Sequence, residues 1–196
     1  MKKIQTSIKP SASETTVIVY WLLFIVYCQL SVVFSACSQI DDNRDAGGAT
    51  IITTGDLLPA FTLFGSDGKQ VTSASLNGRV FILNFFDTRC PDCQQEFSVL
   101  QEIHDHYTTT VPILNVPRSQ SRDEVAAYWN EAGWTMPFYI PDEKDLYYQF
   151  ASSTIPRTYV VGADGRVAAA FDDSPIADRQ TLDALLQQLL LAADGY

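Results

Sequence analysis

The sequence predicts an α/β layer fold with a mixed β-sheet. Three observations predict it. An almost wholly apolar run from Val80 to Phe86 leads straight into a pattern of helical period. A strand, a Gly-Ala-Asp-Gly turn and a second strand follow one another across residues 157–171, and a leucine-rich helical face ends the chain.

Taken in order, Leu57 to Leu63 is a short extended segment. The turn from Gly65 to Gly68 then returns the chain through Val71 as a small hairpin. Asn77-Gly78 punctuates the chain just before residues 80–86, whose length and apolarity suit a buried central strand. Phe97, Leu100, Ile103 and Tyr107 recur at helical spacing, so a helix starts near Cys90 and Cys93. Pro112 to Val116 is the next buried strand. Ser121 stands three residues before Glu124, which makes a capping box for a helix through Val125, Tyr128 and Trp129. Phe138 to Ile140 reads as a short strand and Lys144 to Phe150 as a short helix. Arg157 to Val161 and Val167 to Phe171 flank the Gly162–Gly165 turn as a hairpin, which lacks the spacing of a nucleotide-binding loop. Leu182, Leu185, Leu186, Leu189 and Leu190 share one helical face that should cover the sheet. There is no internal repeat and no low-complexity tract.

Ahead of this domain, Val17 to Phe34 is almost wholly apolar, follows Lys2, Lys3 and Lys9, and ends in Phe34-Ser35-Ala36-Cys37. A basic start, an apolar middle and small closing residues make an export signal over residues 1–36. The last four residues resemble a bacterial lipobox, in which the cysteine, here Cys37, is lipidated and becomes the mature N-terminus. Phe34 stands where such sites favour Leu. An uncleaved membrane anchor is the other reading, because the stretch nears the length that spans a bilayer. Both deliver the domain to the outer side of the cytoplasmic membrane, in the cell envelope or at the surface, where conditions are oxidising. Residues 37–54 turn acidic and polar and read as a flexible tether, leaving 55–196 as one domain.

Charge and cysteines narrow the function. The chain of 196 residues carries a formal charge of −10, and loss of the leader would remove three lysines and one glutamate. Nucleic acid is excluded as a partner, since phosphate neutralisation needs Lys/Arg clusters that this sequence lacks. Of Cys28, Cys37, Cys90 and Cys93, only the last two lie in the predicted domain. As a structural staple they would close so small a loop that the gain is at most roughly 2 kcal/mol. At a strand-to-helix turn, by contrast, free N–H groups and the helix dipole favour a thiolate, the species that attacks disulfides. Pro91 fits the first helical position, where a missing N–H has no cost. A reversible dithiol/disulfide switch is therefore expected, with no cofactor.

Two rival readings use the same cysteines. Two thiolates would suit Cu(I), although His104 and His106 lie a few helical turns further on and are too distant to join them. A peroxidase is the other, since Thr88 and Cys90 faintly resemble a peroxidatic loop of the peroxiredoxins, with the wrong spacing. No Cys-x-x-Cys-His haem attachment motif occurs.

The segment from Asn84 to Cys93, with Glu96, resembles the active-site segment of the thioredoxin-like TlpA/ResA group of membrane-anchored thiol-disulfide oxidoreductases. Residues 153–165 resemble that group's cis-proline loop, strand and turn, and with Gly55 to Phe61 the resemblance covers residues 55–193. It implies a thioredoxin-like fold, with an N-terminal hairpin and with an inserted helix and strand supplied by Tyr128 to Ile140. It implies that Pro156 is cis beside the cysteines and that Ile155 offers its backbone to a partner protein, with Arg89, Pro91 and Asp92 flanking the sulfurs. It implies Cys90 as attacking and Cys93 as resolving thiol, protein thiols and disulfides as substrates, and a thiol protein in the membrane as electron donor. A reductant, for example in cytochrome c maturation, is the activity it favours. The sequence departs from thioredoxins at Arg89, where a Trp is common, and at Asn84, where a buried carboxylate is common. Arg89 should favour the Cys90 thiolate and Asp92 oppose it. Glu96, one turn beyond Cys93, is the candidate substitute for the missing acid, with solvated surface charge as the alternative reading for Glu96, Arg89 and Asp92.

Overall fold

The computed structural model describes residues 51–193 and 195. The predicted leader, Cys28, the lipidation site Cys37 and residues 37–50 of the predicted tether lie outside these residues. The chain forms β1 (Thr62–Gly65), β2 (Gln70–Thr72), a 3₁₀ turn (Ser73–Leu76), β3 (Phe81–Phe86), α1 (Pro91–Tyr107) and β4 (Ile113–Pro117). It continues with α2 (Arg122–Ala132), β5 (Tyr139–Pro141), a second 3₁₀ turn (Leu146–Gln149), β6 (Arg157–Val161), β7 (Val167–Phe171) and α3 (Arg179–Ala193).

The central sheet has the order β4-β3-β6-β7, with β3 parallel to β4 and antiparallel to β6. All six residues of β3 are buried, as befits a strand covered on both faces. Alternation sends Ile82 and Phe86 to one face with Phe97, Leu100 and Ile103 of α1 and Leu182 and Leu186 of α3. Phe81, Leu83 and Phe85 go to the other, with Leu146, Tyr147, Phe150 and Tyr159. The T-shaped contact of Phe86 with Phe97, 5.0 Å between ring centroids, pins the first turns of α1 against the end of β3. This contact fixes where the cysteines stand.

The inserted strand settles on a second sheet of order β2-β1-β5, so it joins the N-terminal hairpin. A single parallel bridge between Asn115 and Phe138 ties it to the edge of the central sheet. Ser121 caps α2 as expected, its hydroxyl accepting from the Glu124 N–H while the Glu124 carboxylate accepts from the Ser121 N–H at 2.8 Å. Gly133 closes that helix in the left-handed conformation, at φ 74°. Replacing Ser121 with Ala should lower stability by about 1 kcal/mol, measured by urea unfolding, without altering the thiol chemistry.

Two sequence expectations need correction. Residues 144–150 yield only the short 3₁₀ turn, because the aromatic side chains of Tyr147 and Phe150 turn inward and no longer helical stripe supports them. Contacts with the domain also begin ahead of residue 55: the N–H groups of Ile51 and Ile52 both donate to the Phe150 carbonyl at 3.0 Å.

Candidate active site

β3 ends at Phe86, and the next four residues form a turn closed by the Cys90 N–H donating to the Asp87 carbonyl at 3.1 Å. Asp87 shapes the turn, its carboxylate accepting from the backbone N–H of Arg89 at 2.9 Å and from the Arg89 guanidinium at 2.9 and 2.8 Å. That guanidinium, hydrogen-bonded and charged, holds the Asp87 carboxyl below the usual carboxylate range despite its burial. Thr88 is gripped from three sides. Its N–H donates to Gln120 Oε1 at 2.8 Å, its hydroxyl accepts from Gln120 Nε2 at 2.7 Å, and its carbonyl accepts from Gln94 Nε2 at 2.7 Å. A turn held this firmly delivers Cys90 to one position.

Cys90 is the N-cap of α1, and its sulfur accepts from the Cys93 N–H at 3.4 Å. Both cysteines are free thiols; Cys90 is half-buried and Cys93 is fully buried. Burial pushes the Cys93 thiol far above its ordinary value, the neighbouring Cys90 and Glu96 add to the rise, and the Asp87 N–H opposes it. Pro91 and Asp92 occupy the exposed first turn, as the sequence predicts for residues that border the sulfurs.

The Ile155–Pro156 bond is cis, and the Cys90 thiol donates to the Ile155 carbonyl at 3.6 Å. Residues 65 positions apart therefore meet at one sulfur. The loop is braced from beneath by the Tyr147 hydroxyl, whose single hydrogen lies between the carbonyls of Ser153 and Thr154, and by Arg157 Nη2, 2.7 Å from Thr154 Oγ1. Ile155 stays partly exposed while Pro156 is buried, which leaves the Ile155 backbone as a ledge beside Cys90.

Glu96 is not surface charge: it is fully buried, and Thr158 Oγ1 lies 2.7 Å from its Oε1. Its other oxygen is buried without a hydrogen-bond partner among the described residues. Desolvation raises its pKa to about 7, the Thr158 hydroxyl opposing the rise. A buried acid thus sits on the helix one turn beyond Cys93, while the central strand carries the neutral Asn84. Arg89 is mostly exposed, as its surface-charge reading has it, and its guanidinium pairs with Asp87. Asp92 remains solvent-exposed.

The sequence reading missed Gln120, Gln94 and Thr158, and it noted Asn84 only as a departure. One signal was available for two of these: Asn84 and Thr158, like Asn115, are polar residues inside otherwise apolar strands. Thr88 spends its hydroxyl on Gln120, and His104 and His106 lie in the last turn of α1, at the far end from the cysteines. Among the described residues no cluster of three His, Cys, Asp or Glu side chains is placed to hold a metal ion.

A vicinal dithiol at the start of a helix, facing a cis-proline loop across a mixed sheet, defines a thioredoxin-like thiol-disulfide oxidoreductase. The chain matches the AhpC/TSA family over residues 54–170 and belongs to it. Within that family it is of the ResA/TlpA-like kind. It is 26% identical over 146 residues to the thiol-disulfide oxidoreductase ResA of Bacillus subtilis, covering 74% of this chain and 82% of that protein. A thiol:disulfide interchange protein from Chlorobium tepidum shares the fold at TM-score 0.59 and 23% identity, over 74% of this chain and 99% of its own. A thio-disulfide isomerase from Thermus thermophilus is similar at TM-score 0.56 and 28% identity, over 69% of this chain and 96% of its own.

Proposed function

We propose that the domain reduces disulfides of partner proteins outside the cytoplasmic membrane, held there by a lipid on Cys37, in the periplasm or at the outer face of the cytoplasmic membrane. Cys90, as thiolate, attacks one sulfur of the partner disulfide; that bond breaks, a Cys90–partner disulfide forms, and the departing partner sulfur takes a proton. Cys93 then gives its proton to Glu96 and attacks Cys90, releasing the second partner thiol and leaving the Cys90–Cys93 disulfide. Two electrons pass to the partner, and a thiol protein of the membrane restores them. The partner lies along Ile155 as an added strand, with Arg89, Pro91 and Asp92 at its border. The resemblance to the TlpA/ResA group supports this direction of electron flow, and cytochrome c maturation is the process in which such a reductant fits.

The observation that carries this reading is the unequal burial of two sulfurs at one helix start, the outer one against the Ile155 carbonyl. Replacing Cys93 with Ala in the native host should let the first step run and block the second. Mixed disulfides should then appear on non-reducing gels, vanish on reduction, and be missing when Cys90 is also replaced. A Cys93→Ala protein that accumulates no partner adduct would overturn the proposal, and the redox state of any trapped partner in wild-type cells gives the direction.

A further inference from the structure

Under Cys93 runs a chain of buried polar side chains that crosses three strands of the central sheet. Glu96, Thr158, Asn84 and Asn115 are all fully buried. Asn84 pairs with Asn115 on one side and with Thr158 on the other in the strand register, so the three side chains share the face covered by α1.

The hydrogen bonds can be oriented from one fixed end. The Pro137 carbonyl can only accept, so the amide group 2.9 Å from it must be Asn115 Nδ2. Asn115 therefore turns Oδ1 toward Asn84, which must answer with Nδ2, at 3.1 Å. That leaves Asn84 Oδ1 facing Thr158 Oγ1 at 3.3 Å, while Glu96 Oε1 faces the same hydroxyl at 2.7 Å. Two acceptors meet a hydroxyl that has one hydrogen. With Glu96 ionised, Thr158 donates to the carboxylate and Asn84 Oδ1 goes without a donor. With Glu96 protonated, the carboxylic acid donates to Thr158 Oγ1, and the threonine hydrogen is free to serve Asn84. Only the second arrangement gives Asn84 Oδ1 a donor; Glu96 Oε2 has no partner among the described residues in either.

We propose that Thr158 is a positioning residue, a hydroxyl rotor that turns from Glu96 to Asn84 when Glu96 takes up a proton. It thereby couples the proton transfer of the thiol chemistry to the Asn84–Asn115 pair. This rests on Glu96 being the proton acceptor for Cys93, as set out above. The proton travels from the Cys93 sulfur to Glu96; Thr158 keeps its own hydrogen and only redirects it. Other charges facing the group are few. Cys93 lies one turn back on α1, with Cys90 at the helix start, and the Asp87 carboxylate is bound by Arg89. Arg157, next to Thr158 in β6, points to the opposite face, where its guanidinium contacts Asp172 and Thr154.

The test is a pH titration of the reduced protein by NMR, following the ¹³C-labelled Glu96 carboxyl and the ¹⁵N-labelled side-chain amide of Asn84. In the wild type the Asn84 amide should titrate with the Glu96 midpoint. Thr158→Ser, which keeps the hydroxyl, should preserve this coupling. Thr158→Val, of nearly the same shape, should leave the Asn84 amide flat and raise the Glu96 midpoint by on the order of one unit, because the carboxylate loses its charge-assisted donor. An Asn84 amide that ignores the Glu96 titration in the wild type, or still follows it in Thr158→Val, overturns the proposal. Neither readout requires turnover, so failure of the oxidoreductase reading would show separately, in the trapping experiment.

Discussion

Replacing Cys90 with alanine should lower the rate of partner-disulfide reduction by about a thousandfold or more, measured as thiol release from a protein disulfide such as insulin. The size of the loss follows from the position of the second sulfur. Cys93 has no exposed surface, and burial together with the nearby Glu96 carboxylate holds its thiol protonated. It can attack a sulfur already bonded to Cys90, since that atom is delivered to it, but not a disulfide arriving from solvent. Activity retained in the Cys90→Ala protein would mean that the attacking group lies elsewhere.

Glu96→Gln should have two effects of opposite benefit. Resolution of the mixed disulfide should slow by on the order of a hundredfold, because the amide cannot take the Cys93 proton. Stability should move the other way. Burial raises the Glu96 pKa to about 7 from an ordinary 4.5, so the folded state binds that proton more tightly than the unfolded chain. The stability contributed by the proton is fully present below pH 4.5 and is lost as pH rises through about 7. At pH 8 the ionised carboxylate costs on the order of 3 kcal/mol, which the glutamine variant should recover. Urea unfolding of both proteins at several pH values checks this, and the difference between them removes the contribution of every other carboxylate. Parallel curves with no widening gap between pH 5 and 8 would show that Glu96 does not titrate in that window.

The central strand is legible as an almost wholly apolar run covered on both faces, the helix that follows it as a 3.6-residue period, and the 157–171 hairpin from its Gly-Ala-Asp-Gly turn. Cys90 and Cys93 are legible because few other roles suit two cysteines at that spacing, whereas Pro156 is expected only through the family resemblance. The pairing of β5 with β1 is not, since strands of three or four residues carry too little pattern to choose a partner. Glu96 is instructive: it precedes Phe97 and lies three residues from Cys93, so the helical stripe already placed it inward. A charged residue on an apolar face reads as surface only when propensity outweighs position. Arg89 was opaque for a different reason, because its partner Asp87 is two residues away and they meet only through the geometry of the turn.

The sulfur proposed to perform the exchange is also the atom that caps the start of α1, receiving the Cys93 amide hydrogen. Once that sulfur is shared with a partner or with Cys93, its electron density is drawn into a covalent bond and the amide loses a strong acceptor. Redox state and the order of that helix's first turn therefore meet on a single atom, the Cys90 sulfur.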